Sequence, residues 1–248
     1  MKVIMFKGTS GTGKTTTAER MIAELCRRGY SVGSVKDIHA ESFYADTEGT
    51  NTDRHRKAGA NPVTALGRHD TSVIFGGTVD IEKLLDIYTT DYVVLEGDSG
   101  ANCPIIITGK TVEDLDEKYN GRVIAVSGVV SEKITNYRGL PIINGLTDIE
   151  KLVDLVEEKT PERMPNFAPD CCSGCGGDCR SLLERMLRGY AKPTDCILKN
   201  GRLRLFVGDE EIKMVPFVEN IVGSVVIGAV KTLRGYRDDR EIVVKVRQ

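Results

Sequence analysis

The feature that most constrains this chain is a glycine-rich loop placed directly after its first apolar segment. Residues 1–6 are predominantly apolar, and residues 8–15 read GTSGTGKT, which fits the pattern G-x-x-x-x-G-K-[ST] at every position. Glycines let successive backbone N–H groups turn inward around an anion, and a helix that begins at the lysine points its positive end at the same place. A strand, a phosphate-binding loop and a helix are therefore predicted to follow one another here.

The residues of this loop are predicted to hold a nucleoside triphosphate. Lys14 is expected to bridge the outer phosphates, and the Thr15 hydroxyl is expected to bind Mg²⁺. The sequence contains no N-K-x-D motif for reading guanine, so both GTP and ATP stay open as the ligand. The predicted nucleotide-binding residues are Gly8, Thr9, Ser10, Gly11, Thr12, Gly13, Lys14, Thr15 and Thr16.

A second acidic position is expected at the end of a buried strand next to the loop. The apolar segment Tyr92–Leu95 is followed at once by Glu96, with Asp98 two residues further on. A carboxylate at such a strand end can reach Mg²⁺ or its water. We therefore predict Glu96 as the magnesium ligand that orients water, with Asp98 as its substitute and Lys14 as the other catalytic residue. No arginine finger is evident in the sequence, so any NTPase activity is expected to be weak.

Strand and helix patterns alternate along the first 160 residues and indicate an α/β fold. We predict a P-loop NTPase-type, mostly parallel sheet with helices on both faces, because continuous apolar strands separated by amphipathic helices are typical of that class. A helix is predicted from Lys14 to Arg28 and another after Thr147. The predicted strands are 2–6, 31–36, 71–75, 92–95, 104–108, 122–127 and 140–143.

Residues 161–248 are predicted to form a separate, smaller α+β module. A proline-rich stretch, 160–170, has no hydrophobic periodicity and reads as a linker. Asn200-Gly201 predicts a β-hairpin, Pro216 opens an apolar helix, and 241–246 alternates like a final strand.

This module contains a cysteine cluster that predicts a metal site. Five of the seven cysteines fall within residues 171–196, and thiolates two residues apart can grip one metal centre. The main hypothesis is a [4Fe–4S] cluster; a structural zinc ion, a redox dithiol and a relay for a substrate metal are the alternatives. The predicted ligands are Cys172, Cys175, Cys179 and Cys196, with Cys171 as an alternate.

Composition excludes several other functions. The net charge is −2 and no tract of lysines and arginines is present, so a nucleic-acid surface is not expected. No apolar run approaches the roughly 18 residues that a membrane span needs, and the N-terminus reads as a buried strand rather than a signal peptide. We therefore expect a cytoplasmic protein with reduced thiols.

Two further segments carry a family resemblance. Residues 35–39 read VKDIH and residues 51–60 read NTDRHRKAGA; with the phosphate loop and the segment 94–97 (VLEG), the chain resembles the molybdopterin-guanine dinucleotide biosynthesis protein B family over residues 1–160. Asp37 stands where the family usually has His, and Asn51 where it usually has Asp. From the residues themselves, Thr52 is a candidate N-cap for a short helix whose Arg54 and His55 could meet an anionic pterin phosphate; an ordinary polar surface helix is the other interpretation.

The resemblance implies an accessory protein for molybdenum- or tungsten-pterin cofactor biosynthesis. It implies GTP or ATP as ligand, a homodimer, and the molybdopterin-type cofactor or its biosynthetic enzymes as partners. The alternative hypotheses are an ATP-gated iron–sulfur electron carrier or reductase component, and a non-catalytic metallochaperone that binds nucleotide without turnover.

Overall fold

The structure is a computed structural model that describes residues 1–166, 175–196, 203, 205–208, 210–212, 214, 216–234, 236–237 and 242–244. The chain divides into two compact units, Met1–Arg163 and Met164–Gln248. Among the described residues, no helix combines the length and the apolarity that crossing a bilayer requires.

A five-stranded sheet organises the first unit. Its strands are all parallel and lie in the order β2-β5-β1-β6-β7. This arrangement confirms the predicted α/β fold with a largely parallel sheet. The strands are β1 (Lys2–Gly8), β2 (Val32–Lys36), β5 (Tyr92–Glu96), β6 (Ile105–Thr108) and β7 (Val123–Ser127), while β3 (Val63–Leu66) and β4 (Thr71–Ile74) form a separate antiparallel hairpin.

The strand order brings the carboxyl ends of three strands together beside the glycine-rich loop. In the register, Phe6 of β1 lies next to Glu96 of β5, and Glu96 in turn lies next to Lys36 of β2. Parallel strands point the same way, so whatever follows their last residues converges on one edge of the sheet. The edge that carries Gly8 therefore also carries Lys36 and Glu96.

Helices connect these strands and cover the sheet. The helix after the loop buries Met21 and Leu25 completely, which is the period expected of an amphipathic helix. It packs against a later helix that buries Leu152, Val153 and Val156. The helices of this unit are α1 (Lys14–Arg27), α2 (Asn51–Lys57), α3 (Ile81–Leu85), α4 (Val112–Lys118) and α5 (Ile149–Lys159).

Two predictions for this unit differ from the structure. Residues 140–143 do not form a strand; they contribute one isolated parallel bridge between Ile142 and Val126. The segment 71–75 does form a strand, but it pairs with β3 instead of joining the main sheet. In both cases an apolar, β-prone segment was identified correctly as extended. Which strand it pairs with depends on tertiary neighbours, and these cannot be identified from the segment itself.

The second unit contains α6 (Cys179–Leu187), an antiparallel pair β8 (Leu205–Val207) and β9 (Glu210–Ile212), and α7 (Pro216–Lys231). A small core forms around Met164, Leu182, Leu183 and Cys196. The hairpin predicted at residues 200–201 lies outside the described residues. The final strand predicted at 241–246 is not seen over 242–244, which are described and belong to no helix or strand.

Candidate nucleotide-binding site

The glycine-rich loop has the backbone geometry of an anion site. Gly11 and Gly13 have φ angles of +70° and +91°, in the left-handed region that glycine adopts at no steric cost. Gly13 is the N-cap of α1, and as a glycine it has no side chain to accept a hydrogen bond from the first amides of that helix. The N–H groups at the start of a helix, with the partial positive charge of its dipole, favour an anion.

The loop is supported from below by the ends of β6 and β7. The Thr12 side chain is fully buried and donates a hydrogen bond to the Thr9 carbonyl oxygen at 2.8 Å. The Thr108 hydroxyl lies 2.7 Å from the Thr12 hydroxyl; since Thr12 has already donated its one hydrogen, Thr108 is the donor. The backbone N–H of Val129 donates to the Thr12 carbonyl oxygen at 3.1 Å. These contacts connect the loop to the ends of β6 and β7.

Close approach also explains two glycines around the loop. A Cβ on Gly8 would lie 2.3 Å from the Thr108 carbonyl oxygen, and a Cβ on Gly128 would lie 2.1 Å from the Thr12 carbonyl oxygen. Neither distance is compatible with a side chain unless the backbone moves. Gly128 is therefore a supporting residue that the motif pattern does not contain.

Lys14 lies back across the loop. Its ammonium donates a hydrogen bond to the Thr9 carbonyl oxygen at 2.5 Å. Partial burial lowers the pKa of Lys14, and the positive charges of Lys36 and Lys118 lower it as well, while Glu96 acts in the opposite direction. An anionic phosphate beside this ammonium would offset both effects, because a nearby opposite charge favours the protonated form.

Thr15 and Glu96, both predicted as magnesium ligands, lie side by side. The Thr15 hydroxyl donates to Glu96 Oε1 at 2.5 Å, although the two residues are 81 positions apart in the chain. Burial raises the pKa of the Glu96 carboxyl, but hydrogen bonds from Lys36 and Thr15 outweigh it and hold the pKa below its ordinary value. The carboxylate is therefore ionised at neutral pH, as a magnesium ligand must be.

A third residue at this place was not predicted as part of the site, although it lies in the segment 35–39 that carries the family resemblance. Lys36 Nζ lies 2.7 Å from Glu96 Oε1 and 3.3 Å from Thr15 Oγ1. A lysine at the end of a strand that follows the loop helix is the signal that could have revealed it, since parallel strands end at a common edge.

Asp98, the predicted substitute for Glu96, forms a different contact. Its carboxylate is paired with Lys7 at 2.7 Å, and its backbone N–H donates to Asp37 Oδ2 at 3.2 Å. Asp37 also lies 3.3 Å from His39 Nε2. These residues form a polar group beside the loop, while Glu96 is the acid in contact with Thr15.

Arg54 and His55 lie on α2, in an arrangement that differs from the predicted one. Thr50, not Thr52, is the N-cap of this helix, and its side chain accepts a hydrogen bond from the backbone N–H of Asp53. Thr52 instead donates to Asp46. Both Arg54 and His55 are exposed, and neither side chain forms a hydrogen bond or an ion pair with any described residue.

Comparison with known proteins shows the family of this chain. The sequence profile of the family described as "Molybdopterin guanine dinucleotide synthesis protein B" matches residues 3–129. The chain belongs to this family. The matched region contains the phosphate loop, Lys36, Glu96 and Gly128, so the resemblance inferred from the sequence is confirmed.

Individual relatives show how far this similarity extends. A Methanocaldococcus jannaschii protein, described provisionally as a molybdopterin-guanine dinucleotide biosynthesis adapter protein, is 28% identical over 99% of this chain and 97% of its own length. The Escherichia coli adapter protein of the same name is 28% identical over 63% of this chain and 91% of its own. The crystal structure of Bacillus subtilis MobB matches with a TM-score of 0.54 and 25% identity, covering 66% of this chain and all of that one. The second unit is thus shared with the archaeal relative and extends beyond these two bacterial ones.

The cysteines of this additional region are only partly described. Cys171 and Cys172 lie outside the described residues. Cys175 packs against the small core that includes the buried Cys196, and Cys179 is the first residue of α6. Within the parts of the chain that the structure describes, no group of three or more His, Cys, Asp or Glu side chains is placed to hold a metal ion.

Proposed function

We propose that this protein binds a nucleoside triphosphate with Mg²⁺ at its phosphate loop and acts as an accessory protein in molybdopterin-guanine dinucleotide biosynthesis. The observation that carries the proposal is the contact between Thr15 and Glu96 at the end of a glycine loop whose helix-start amides are free of side-chain caps. Residues 8–16 would surround the phosphates, and Lys14 would neutralise them. Thr15 and Glu96 would hold Mg²⁺, which supplies charge stabilisation at the phosphates.

The accessory role rests on family membership and on the names of the relatives. The Escherichia coli protein is named an adapter protein of this biosynthesis, so we propose that the chain associates with the molybdopterin-type cofactor or with the enzymes that complete it. Arg54 and His55 are exposed cationic or polar groups that would suit an anionic pterin phosphate. A cytoplasmic homodimer with GTP or ATP as the nucleotide, and with at most slow hydrolysis, completes the proposal.

Nucleotide binding is tested with Lys14→Ala and fluorescent GTP and ATP analogues. A lysine bonded to phosphate contributes about 1.5–3 kcal/mol, so affinity should fall about tenfold to a hundredfold. Lys83→Ala, which removes an exposed lysine of α3, is the matched control and should bind like the wild type. Equal affinity of the wild type and Lys14→Ala would contradict the proposed site.

The accessory role is tested separately in the host organism. Deleting the gene should reduce the content of the dinucleotide form of the cofactor relative to its mononucleotide form, and Lys14→Ala should fail to restore it. A deletion strain with an unchanged ratio of the two forms would contradict the accessory role and would leave nucleotide binding unaffected.

We also propose that the second unit holds a metal centre on its cysteines. The support is the spacing of Cys172, Cys175 and Cys179, with Cys196 in the same small core as Cys175. A [4Fe–4S] cluster is the first candidate and zinc the second. Anaerobic purification followed by iron, sulfide and zinc analysis distinguishes them, and metal-free protein would contradict both.

If iron and sulfide are found, a reduction potential that moves on nucleotide binding would favour a nucleotide-gated electron carrier. A metallochaperone would instead release its metal to an acceptor protein.

A further inference from the structure

Two side-chain donors converge on one carboxylate oxygen beside the phosphate loop. Glu96 Oε1 accepts hydrogen bonds from the Thr15 hydroxyl at 2.5 Å and from Lys36 Nζ at 2.7 Å. The same ammonium also donates to Thr15 Oγ1 at 3.3 Å. Lys36 therefore contacts both of the oxygens that the proposed function assigns to Mg²⁺, and it brings a positive charge to that place.

The two partners differ in their freedom to move. The side chain of Glu96 is 13% exposed and that of Lys36 is 54% exposed. Glu96 belongs to β5, which lies between two strands, whereas Lys36 is the last residue of β2 at the edge of the sheet. A lysine has a flexible four-carbon stem, so its ammonium can leave without disturbing either strand. The carboxylate stays in place.

Magnesium requires the electron pairs that the lysine uses. Mg²⁺ binds oxygen at about 2.1 Å and needs nearly octahedral geometry, while the ammonium of Lys36 takes acceptor positions on both Glu96 and Thr15. Like charges so close to one another repel strongly where one partner is partly buried. A divalent ion and this ammonium therefore compete for the same two ligands.

We propose that Lys36 occupies the magnesium position in the nucleotide-free protein and is exchanged for the divalent ion when it binds. This inference rests on the proposed function, since it assigns Mg²⁺ to Thr15 and Glu96. In the empty site Lys36 balances the charge of Glu96 and keeps the pair together. When the divalent ion binds, the ammonium of Lys36 is released and stays at the edge of the sheet where the phosphates are held.

The test measures divalent-ion affinity directly, without nucleotide and without turnover. Mn²⁺ is titrated into nucleotide-free protein, and free Mn²⁺ is followed by electron paramagnetic resonance. Glu96→Gln identifies the signal that belongs to this site, because that variant lacks the anionic ligand. Lys36→Met keeps the apolar stem and removes the competitor, so Mn²⁺ affinity at the Glu96-dependent site should rise about tenfold, the effect of losing one charge-assisted hydrogen bond.

Lys110→Met is the matched control. The Lys110 ammonium lies 3.2 Å from the position that a Cβ on Gly11 would take, and it forms no hydrogen bond or ion pair with Thr15 or Glu96. The Lys110→Met variant removes the same charge from the same edge of the sheet, and we expect less than a twofold change in its Mn²⁺ affinity. Lys36→Gln serves as a second variant if Lys36→Met aggregates.

The outcomes separate this inference from the proposed function. Unchanged or weaker Mn²⁺ binding in Lys36→Met, or an equal gain in Lys110→Met, would overturn the exchange, whatever the nucleotide measurements show. If Lys14→Ala bound nucleotide as tightly as the wild type, the proposed nucleotide site would be overturned. The Mn²⁺ titration of the nucleotide-free protein would still decide whether Lys36 competes with the divalent ion.

Discussion

Replacing Gly128 with alanine tests whether the end of β7 supports the phosphate loop. Gly128 has a φ of +77°, and an added Cβ would lie 2.1 Å from the Thr12 carbonyl oxygen and 3.0 Å from Thr108 Cβ. Ordinary contacts of a Cβ begin near 3.4 Å, so the Thr12 carbonyl would have to retreat by more than an ångström. The perturbation therefore acts on the loop itself.

The matched control is Gly139→Ala. Gly139 also has a positive φ, +72°, and nothing lies within 4 Å of an added Cβ, so this variant has the strain of a positive φ without the contact. That strain is about 1–2 kcal/mol, partly offset by about 0.4–1 kcal/mol from the less flexible unfolded chain. Gly128 also has a ψ of −159°, a backbone conformation that is essentially restricted to glycine. This conformation and the contact together should add about 1–3 kcal/mol in Gly128→Ala alone.

Two assays separate the effects. In urea unfolding followed by circular dichroism, Gly128→Ala should lose about 1–3 kcal/mol more than Gly139→Ala. The displaced Thr12 carbonyl and the Gly13 N–H belong to the same peptide group, so the N–H of the loop moves with the carbonyl. Nucleotide affinity should therefore also fall at least about tenfold in Gly128→Ala and stay unchanged in Gly139→Ala. Equal stability and equal affinity of the two variants would refute the reasoning.

Two further predictions concern buried polar contacts of the first unit. Thr12→Val should lower the free energy of unfolding by about 1–3 kcal/mol, because the buried Thr108 hydroxyl loses its acceptor; urea unfolding measures this, and a loss as large in Thr12→Ser, which keeps the hydroxyl, would contradict it. Hydrogen bonds from Arg27 and then Arg28 lower the pKa of Glu24 from 4.5 to about 2. A carboxyl whose pKa is lower in the folded state stabilises the fold above pH 4.5. This stabilisation is lost as the pH falls towards 2. The stability difference between wild type and Glu24→Gln should therefore shrink over that range, and a difference independent of pH would exclude the ion pairs as its cause.

Local patterns predicted the elements of the first unit well. The loop motif, the helix that starts at Lys14 and the buried strands of the sheet all depend on residue types within a few positions of one another, and each is where the sequence indicated. Pairing was less predictable. The segments 71–74 and 140–143 are similarly β-prone, yet one forms an isolated hairpin and the other a single bridge. Helix α4 was missed although Thr111 and Asp114 form a capping box at its start, a signal that the sequence did contain.

The sequence by itself determined that a glycine-rich loop with the phosphate-loop pattern stands between a buried strand and a helix, because glycine torsions and helix formation act over a few neighbouring residues. It also predicted Glu96, which follows an apolar strand, as the acidic partner of Thr15, and the two side chains are in contact. Only the tertiary structure decided that Lys36 meets Glu96 and Thr15, and that Gly128 lies under Thr12. These contacts join residues far apart in the chain, and they exist because β5 lies between β1 and β2 while β6 and β7 follow on the other side. Strand order arises from packing the whole sheet, and no local pattern encodes it.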